Sequence, residues 1–229
     1  MISKLPLILN IETSTRNCSV ALFSGDKLIA EKSLLSEKYS HSEKLTLFIE
    51  DVIRNSDYKL VDLDAIAVSK GPGSYTGLRI GVSTAKGLSY SLDIPLISIS
   101  NLQSMAFNMS KKNSNYDLYC PMIDARRMEV FSAFYDKDNN QVRDIKADII
   151  TQYSYVKELE KNKVLFFGDG SPKCKNVLDS ENAYFIENVF PRAEDMGLFA
   201  LEKYNNKNFE NVAYFEPFYL KDFLAGKKN

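Results

Sequence analysis

Three short β-patterned runs open the chain, and the pattern then changes period without a long linker. Residues 7–13 (LILNIET), 18–24 (CSVALFS) and 27–34 (KLIAEKSL) are alternating or β-branched, separated by STRN and by Gly25-Asp26. Tight turns of that kind join antiparallel strands into a meander. Ser40 followed by Glu43 then reads as a capping box, and Leu45, Phe48, Ile49 and Val52 recur at helical spacing to about Asn55. A buried-type strand follows at Ala65-Ile-Ala-Val68, then a glycine loop, a helix over about Thr76 to Ser91, a strand from Pro95 to Ile99, and a helix whose start is signalled by Ser100 and Gln103.

The order βββαβα with a closing helix predicts a mixed five-stranded sheet covered by helices, the topology of ribonuclease-H-like and actin-like domains. The polar stretch 111–117 (KKNSNYD) is a natural boundary. Beyond it the opening theme returns. Leu9-Asn-Ile-Glu12 is followed nine residues after its acid by Ala21-Leu-Phe, and Pro121-Met-Ile-Asp124 is followed at the same interval by Ala133-Phe-Tyr. A duplicated lobe accounts for both hairpins. The expected organisation is an α/β fold of two lobes: a first lobe over 1–110, a smaller second lobe over 111–194, and a C-terminal helix over about 195–220 that packs back on the first. The second lobe shows strands near 118–123, 129–135 and 164–167, a helical stretch around 153–160 and a last helix over 195–204.

Composition narrows the chemistry. With 29 basic and 30 acidic residues, divided 11 and 11 before residue 104 and 18 and 19 after it, neither half has the basic excess that unaided nucleic-acid binding needs. One histidine, His41, and three scattered cysteines, Cys18, Cys120 and Cys174, cannot assemble a Cys₄, Cys₂His₂ or multi-histidine centre. No metal site is expected. The unpaired cysteine count suits a reducing compartment, and no apolar run approaches the ~18 residues that cross a bilayer, so the expected location is the cytoplasm with no membrane contact.

Two loops could hold an anion. The turn Glu12-Thr-Ser-Thr-Arg16 gathers hydroxyls and backbone N–H groups beside a strand-end acid, an arrangement that holds phosphate oxygens in one reading and is a solvated turn in the other. The block Lys70-Gly-Pro-Gly-Ser-Tyr-Thr-Gly-Leu-Arg-Ile-Gly81 lies between a strand and a helix, where free N–H groups and the helix dipole favour negative charge. It matches neither a Walker A loop nor a dinucleotide fingerprint, and the competing reading is a tight turn capped by Ser74. The candidate contacts are Glu12, Thr13, Ser14, Gly71, Gly73 and Ser74. Within the following helix Gly77, Gly81, Ala85 and Ser89 repeat every four residues. Each mid-helix glycine costs about 1 kcal/mol relative to alanine, so the stripe predicts close approach of another helix, from this chain or a partner. A nuclease reading of the acids fails at the fourth strand, which ends in Ser69-Lys70 where an acid is required.

These segments resemble a known family. The opening LILNIETSTRNCSVALF, then YSHSEKL, then AVSKGPGSYTGLRIGVSTAKGLSYSLDIPLISISNLQSMA are similar to the TsaB (YeaZ) family over residues 7–106, and the similarity is weaker through IDARRMEVFSAFY and the closing EPFYLKD. The resemblance implies a bilobal actin-like (ASKHA) fold and a scaffold role in bacterial threonylcarbamoyl-adenosine (t6A) tRNA modification. It implies a heterodimer with TsaD, which transfers the threonylcarbamoyl group to N6 of adenosine 37, addition of the ATPase TsaE, a homodimer in their absence, and contact with tRNA only inside the complex. TsaD binds metal through an HxxxH helix motif; here His41 is kept and Leu45 stands at the second position. No catalysis by the chain alone is therefore expected. Family members pair through their first two long helices, which would place Gly77, Gly81, Ala85 and Ser89, with His41 and Lys44, in the seam. No cofactor is required on this reading, although ATP or ADP at the shared interface is compatible with it. The alternatives are an autonomous actin-like small-molecule kinase and a metallopeptidase, the second disfavoured by the lone histidine.

Overall fold

The computed structural model describes residues 4–36 and 41–221. The Ser40 half of the expected capping box lies outside the described residues. Ten strands and five α-helices follow one another as β1 (Leu7–Glu12), β2 (Asn17–Ser24), β3 (Lys27–Leu35), α1 (His41–Arg54), β4 (Ala65–Gly71), α2 (Tyr75–Leu92), β5 (Leu96–Ser100), α3 (Asn101–Lys112), β6 (Leu118–Asp124), β7 (Glu129–Asp136), β8 (Gln141–Ile149), α4 (Val156–Leu159), β9 (Val164–Phe167), β10 (Ala183–Ile186) and α5 (Gly197–Asn205).

The strands form two five-stranded mixed sheets ordered β3-β2-β1-β4-β5 and β8-β7-β6-β9-β10. The orders are the same when β1 is laid on β6, and so are the senses: the first three strands of each set are antiparallel, the last two parallel to the first. The duplication inferred from two short hairpins extends to the whole of each sheet.

Period-two alternation explains the layering. In β1, Leu7, Leu9 and Ile11 face α1 and α2 in one core, while Ile8 faces Met196 and Ala200 at the other surface of the sheet. In β6, Tyr119 and Ile123 face Leu102, Met105 and Ala106 of α3, while Cys120 and Met122 face Phe134, Tyr155 and Phe166. Helices α3 and α5 therefore lie between the two sheets, with Phe107 and Phe199 in edge-to-face contact at 5.3 Å. The expected C-terminal helix is shorter than 195–220: it runs Gly197–Asn205, after a 3₁₀ turn Ala193–Met196, and no helix follows it to residue 221. The three cysteines are buried and unpaired.

Candidate functional site

The residues suggested for anion contact meet at the top of the first sheet, where Ser14 links Glu12 to Ser74. Glu12, Thr13, Ser14 and Thr15 are buried. The Glu12 carboxylate accepts the Ser14 N–H at 2.6 Å, and burial pushes its pKa up because no cation is near enough, among the described residues, to form an ion pair. Ser74 caps α2 through its Oγ, which accepts the Gly77 N–H at 3.3 Å, and its own N–H donates to the Ser14 carbonyl at 2.7 Å. Asn101, the first residue of α3, donates from Nδ2 to Ser14 Oγ and to the Pro72 carbonyl, each at 2.8 Å. The glycine block is a tight turn capped by Ser74.

The small-residue stripe has a different neighbour from the one expected. A Cβ on Gly73 would stand 2.2 Å from the Ser14 carbonyl oxygen, on Gly77 2.1 Å from that of Thr13, and on Gly81 2.2 Å from Thr13 Oγ1. Thr13 Oγ1 also donates to the Gly77 carbonyl at 2.8 Å. The closest approach is therefore to the β1–β2 turn of the same chain, with His41 of α1 next, 3.2 Å from a Cβ on Gly77. Gly77, Gly81, Ala85 and Ser89 are all buried, so the seam residues offered to a partner have to be found on another side of α2.

His41, at the start of α1, is buried and its Nε2 lies 2.7 Å from the Thr15 carbonyl. A carbonyl only accepts, so that nitrogen carries the proton and points into the turn. Burial lowers the imidazole pKa, which favours the neutral ring. It is a prop under the turn. Lys44, one turn on, is half-buried. Among the described residues no three His, Cys, Asp or Glu side chains are grouped as a metal site.

The outward face of α2 is shaped otherwise. A Cβ on Gly87 would meet nothing within 4 Å, and Tyr90 is 83% exposed. Lys86, Gly87 and Tyr90 line an apolar groove with Asn211, Val212 and Ala213 of the C-terminal segment, which Lys86 Nζ holds by donating to the Ala213 and Phe215 carbonyls at 3.1 Å each. Leu47 on α1 is half exposed.

The second lobe carries the counterpart turn. Asp124 ends β6 as Glu12 ends β1, but it is exposed and paired with Lys173. Gly168-Asp169-Gly170 follows β9 as Gly71-Pro72-Gly73 follows β4, and both first glycines have positive φ (+108° and +94°). The half-buried Asp169 accepts the Asp124 N–H at 3.0 Å, and desolvation lifts its pKa to about 6. Arg126 and Arg127 form the exposed tip. Asn101 and Asp169 were not singled out from sequence. Asn101 had a local cue, since it directly follows the predicted cap Ser100, whereas Asp169 acquires its partner only through the duplicated topology.

No described helix is long and apolar enough to cross a membrane. Residues 35–226 match the family described as TsaD, tRNA N6-adenosine threonylcarbamoyltransferase. The chain is 31% identical over 231 residues to tRNA threonylcarbamoyladenosine biosynthesis protein TsaB of Escherichia coli, covering 96% of this chain and 97% of that protein. It is 35% identical over 176 residues to the Bacillus subtilis protein of the same name, covering 75% of each. Among solved structures, a Pseudomonas aeruginosa protein described as similar to peptidase YEAZ superposes with a TM-score of 0.83 at 22% identity, covering 95% of this chain and all of that one.

Proposed function

The chain belongs to the TsaB family of tRNA threonylcarbamoyladenosine biosynthesis proteins, and from that membership we propose that it is the accessory subunit that binds and supports a TsaD-type transferase. The observation that carries the proposal is the filled turn. Where a strand-turn-strand lobe of this kind could hold a phosphate, Ser14, Ser74, Asn101 and three glycine faces are packed against one another, and the single histidine supports Thr15. A chain whose turn is packed against its own glycine faces in this way contributes shape, and the transfer chemistry falls to its partner.

The partner surface is then the outward side of α1 and α2, with Lys44, Leu47, Gly87 and Tyr90, in place of the buried stripe. The same face serves a homodimer when TsaD is absent. TsaE joins the heterodimer, tRNA is touched only by the assembly, and ATP or ADP, where present, sits at the shared interface. The near-zero net charge of −1 agrees with a subunit that leaves the phosphate backbone to others.

Light scattering after size exclusion, on this chain alone and mixed with the TsaD-like protein of the same organism, tests the reading. A stable heteromer replacing a weaker self-association is the expected result. Gly87→Trp should block it while leaving the circular dichroism unchanged, because a Cβ there meets nothing within 4 Å. Indifference of the wild-type chain to the partner would overturn the proposal.

A further inference from the structure

Two stretches carry the chain between the sheets: α3 on the way out, and residues 187–193 on the way back. Where they run side by side they enclose a cavity of about 180 Å³. Its apolar wall is Met105, Met109, Val189 and Phe190. Its polar side is Asn108, Lys112, Arg192, Glu194 and Asp195. An apolar pocket with a few convergent polar groups is the usual form of a small-molecule site, and this volume limits the occupant to a small one.

The charges decide what kind. Arg192 is already engaged, with one guanidinium nitrogen 2.8 Å from Glu194 and another 3.3 Å from Glu31 of β3. Lys112 and Asp195 are not. Among the described residues neither has an ion pair within 4.0 Å, although each lies in the other's field, and Asp195 holds only the Asn108 amide. The cavity lining thus carries an exposed ammonium and a half-buried carboxylate that interact without an ion pair, beside an apolar wall. A simple anion bound there would lie against Glu194 and Asp195, and a simple cation against Lys112 and Arg192. A neutral guest would leave both unpaired groups as they are. A zwitterion satisfies both at once.

We propose that this cavity binds a small free α-amino acid, its ammonium on Asp195, its carboxylate on Lys112 and a short side chain against Met105, Met109 and Val189. The site lies apart from the outward face of α2, its Asp195 carboxylate acts on Glu12 of the β1–β2 turn through space, and it does not depend on the partner assignment above. Because both lobe-crossing segments form its walls, the bound amino acid fastens one lobe to the other.

Burial raises Asp195 to about 6, with Lys112 and Arg192 opposing and Glu31 adding to the rise, and Glu194 beside it is lifted to about 7. An ammonium placed against Asp195 favours its ionised form, so binding near pH 6 releases protons to the buffer.

The test uses the full chain and the standard L-amino acids, each added singly during thermal unfolding, because a guest of the native state raises Tm saturably. The best binder is then compared by calorimetry, in buffers of different ionisation enthalpy, with the amine lacking its carboxylate and the acid lacking its ammonium. One or a few small amino acids should raise Tm, both truncated analogues should bind at least about tenfold more weakly, and protons should be released. Asp195→Asn and Lys112→Met should each lower affinity by about tenfold or more. The exposed Lys112→Met carries that comparison should Asp195→Asn fold poorly. No Tm response to any amino acid would overturn the proposal, as would an amine that binds as tightly as its amino acid.

Discussion

The two lobes share strand order, strand sense, a strand-end acid and a glycine-x-glycine loop, yet they treat the turn at the end of the first strand in opposite ways. In the first lobe an 18-residue helix follows the loop, and its glycine faces close on Thr13 and Ser14. In the second lobe a 3₁₀ turn of three residues, Pro172–Cys174, stands in its place, and the turn tip with Arg126 and Arg127 stays exposed. The difference teaches that the buried turn is a property of α2, not of the duplicated hairpin. It also moves the burden of core filling. Where α1 and α2 cover one sheet with aliphatic side chains, the short α4 leaves the other to Phe134, Tyr155, Phe166 and Phe185, which pack ring on ring with centroids 4.9 to 6.2 Å apart.

The largest effect should come from the closed turn. Gly77→Ala puts a methyl 2.1 Å from the Thr13 carbonyl, a backbone atom that cannot step aside. The clash should outweigh the ~1 kcal/mol helix-propensity gain and cost about 3 kcal/mol net. That is a drop in Tm of about 6–12 °C for a chain of this size, read by circular dichroism. A melting temperature equal to wild type would break the contrast between the lobes.

A somewhat smaller loss is expected in the second lobe, whose polar centre is an ion pair instead of a glycine seam. Arg143 makes two hydrogen bonds to Asp148, at 2.7 and 2.9 Å, while Ser132 and Tyr155 donate to the same carboxylate at 2.6 and 3.0 Å. Asp148→Asn leaves Arg143, only 19% exposed, with Glu158 at 3.9 Å as its remaining counter-charge and should cost about 2 kcal/mol in urea unfolding. The hydrogen bonds from Arg143 and Ser132 outweigh desolvation and hold the Asp148 pKa below the usual carboxylate value. Its contribution is therefore full above the unfolded value of 3.8 and is lost as pH falls through the lower folded value. Wild type and variant should converge in stability only in strong acid.

The lobe junction should show the opposite sign. Asp195 titrates near 6 in the folded chain against 3.8 unfolded, so the native state binds the extra proton between those values. Stability then falls as pH rises through that window and is flat above it. Asp195→Asn, which keeps the oxygen that accepts the Asn108 amide, should flatten this slope and stabilise the chain at pH 7.5 by about 1–2 kcal/mol. A variant less stable than wild type at that pH would show that the junction holds its carboxylate as firmly as the second lobe holds Asp148.

How much of this was legible in the sequence follows the same division. The first lobe announces itself because its runs switch cleanly from period two to 3.6, and Leu45, Phe48, Ile49 and Val52 fall on the buried face of α1. In the second lobe β8 was missed, since Arg143, Asp144, Lys146 and Asp148 interrupt an edge strand whose polar atoms find partners on β7 and in the following loop. The four-residue β10 is too short to carry a period. The glycine stripe marks a face made for close approach, but periodicity along α2 cannot name what approaches. Thr13 lies 64 residues away from Gly77 in the chain, and only the folded sheet brings it there.

The smallest effect isolates that last point within a single helix. Gly87 and Gly77 sit on one helix and would pay the same ~1 kcal/mol relative to alanine in isolation. A Cβ at Gly87 meets nothing within 4 Å, whereas one at Gly77 meets the turn. Gly87→Ala should therefore raise Tm by about 2–4 °C, opposite in sign to Gly77→Ala. If the gain appears and the mixture with the TsaD-like protein still yields a heteromer, a methyl is accommodated in the seam and the larger Gly87→Trp sets its limit. If the gain appears while the heteromer weakens, residue 87 keeps its glycine at a cost to the free chain for the sake of an approaching backbone. That would give the outward face of α2 the same physical role toward another molecule that Gly73, Gly77 and Gly81 play toward Thr13 and Ser14.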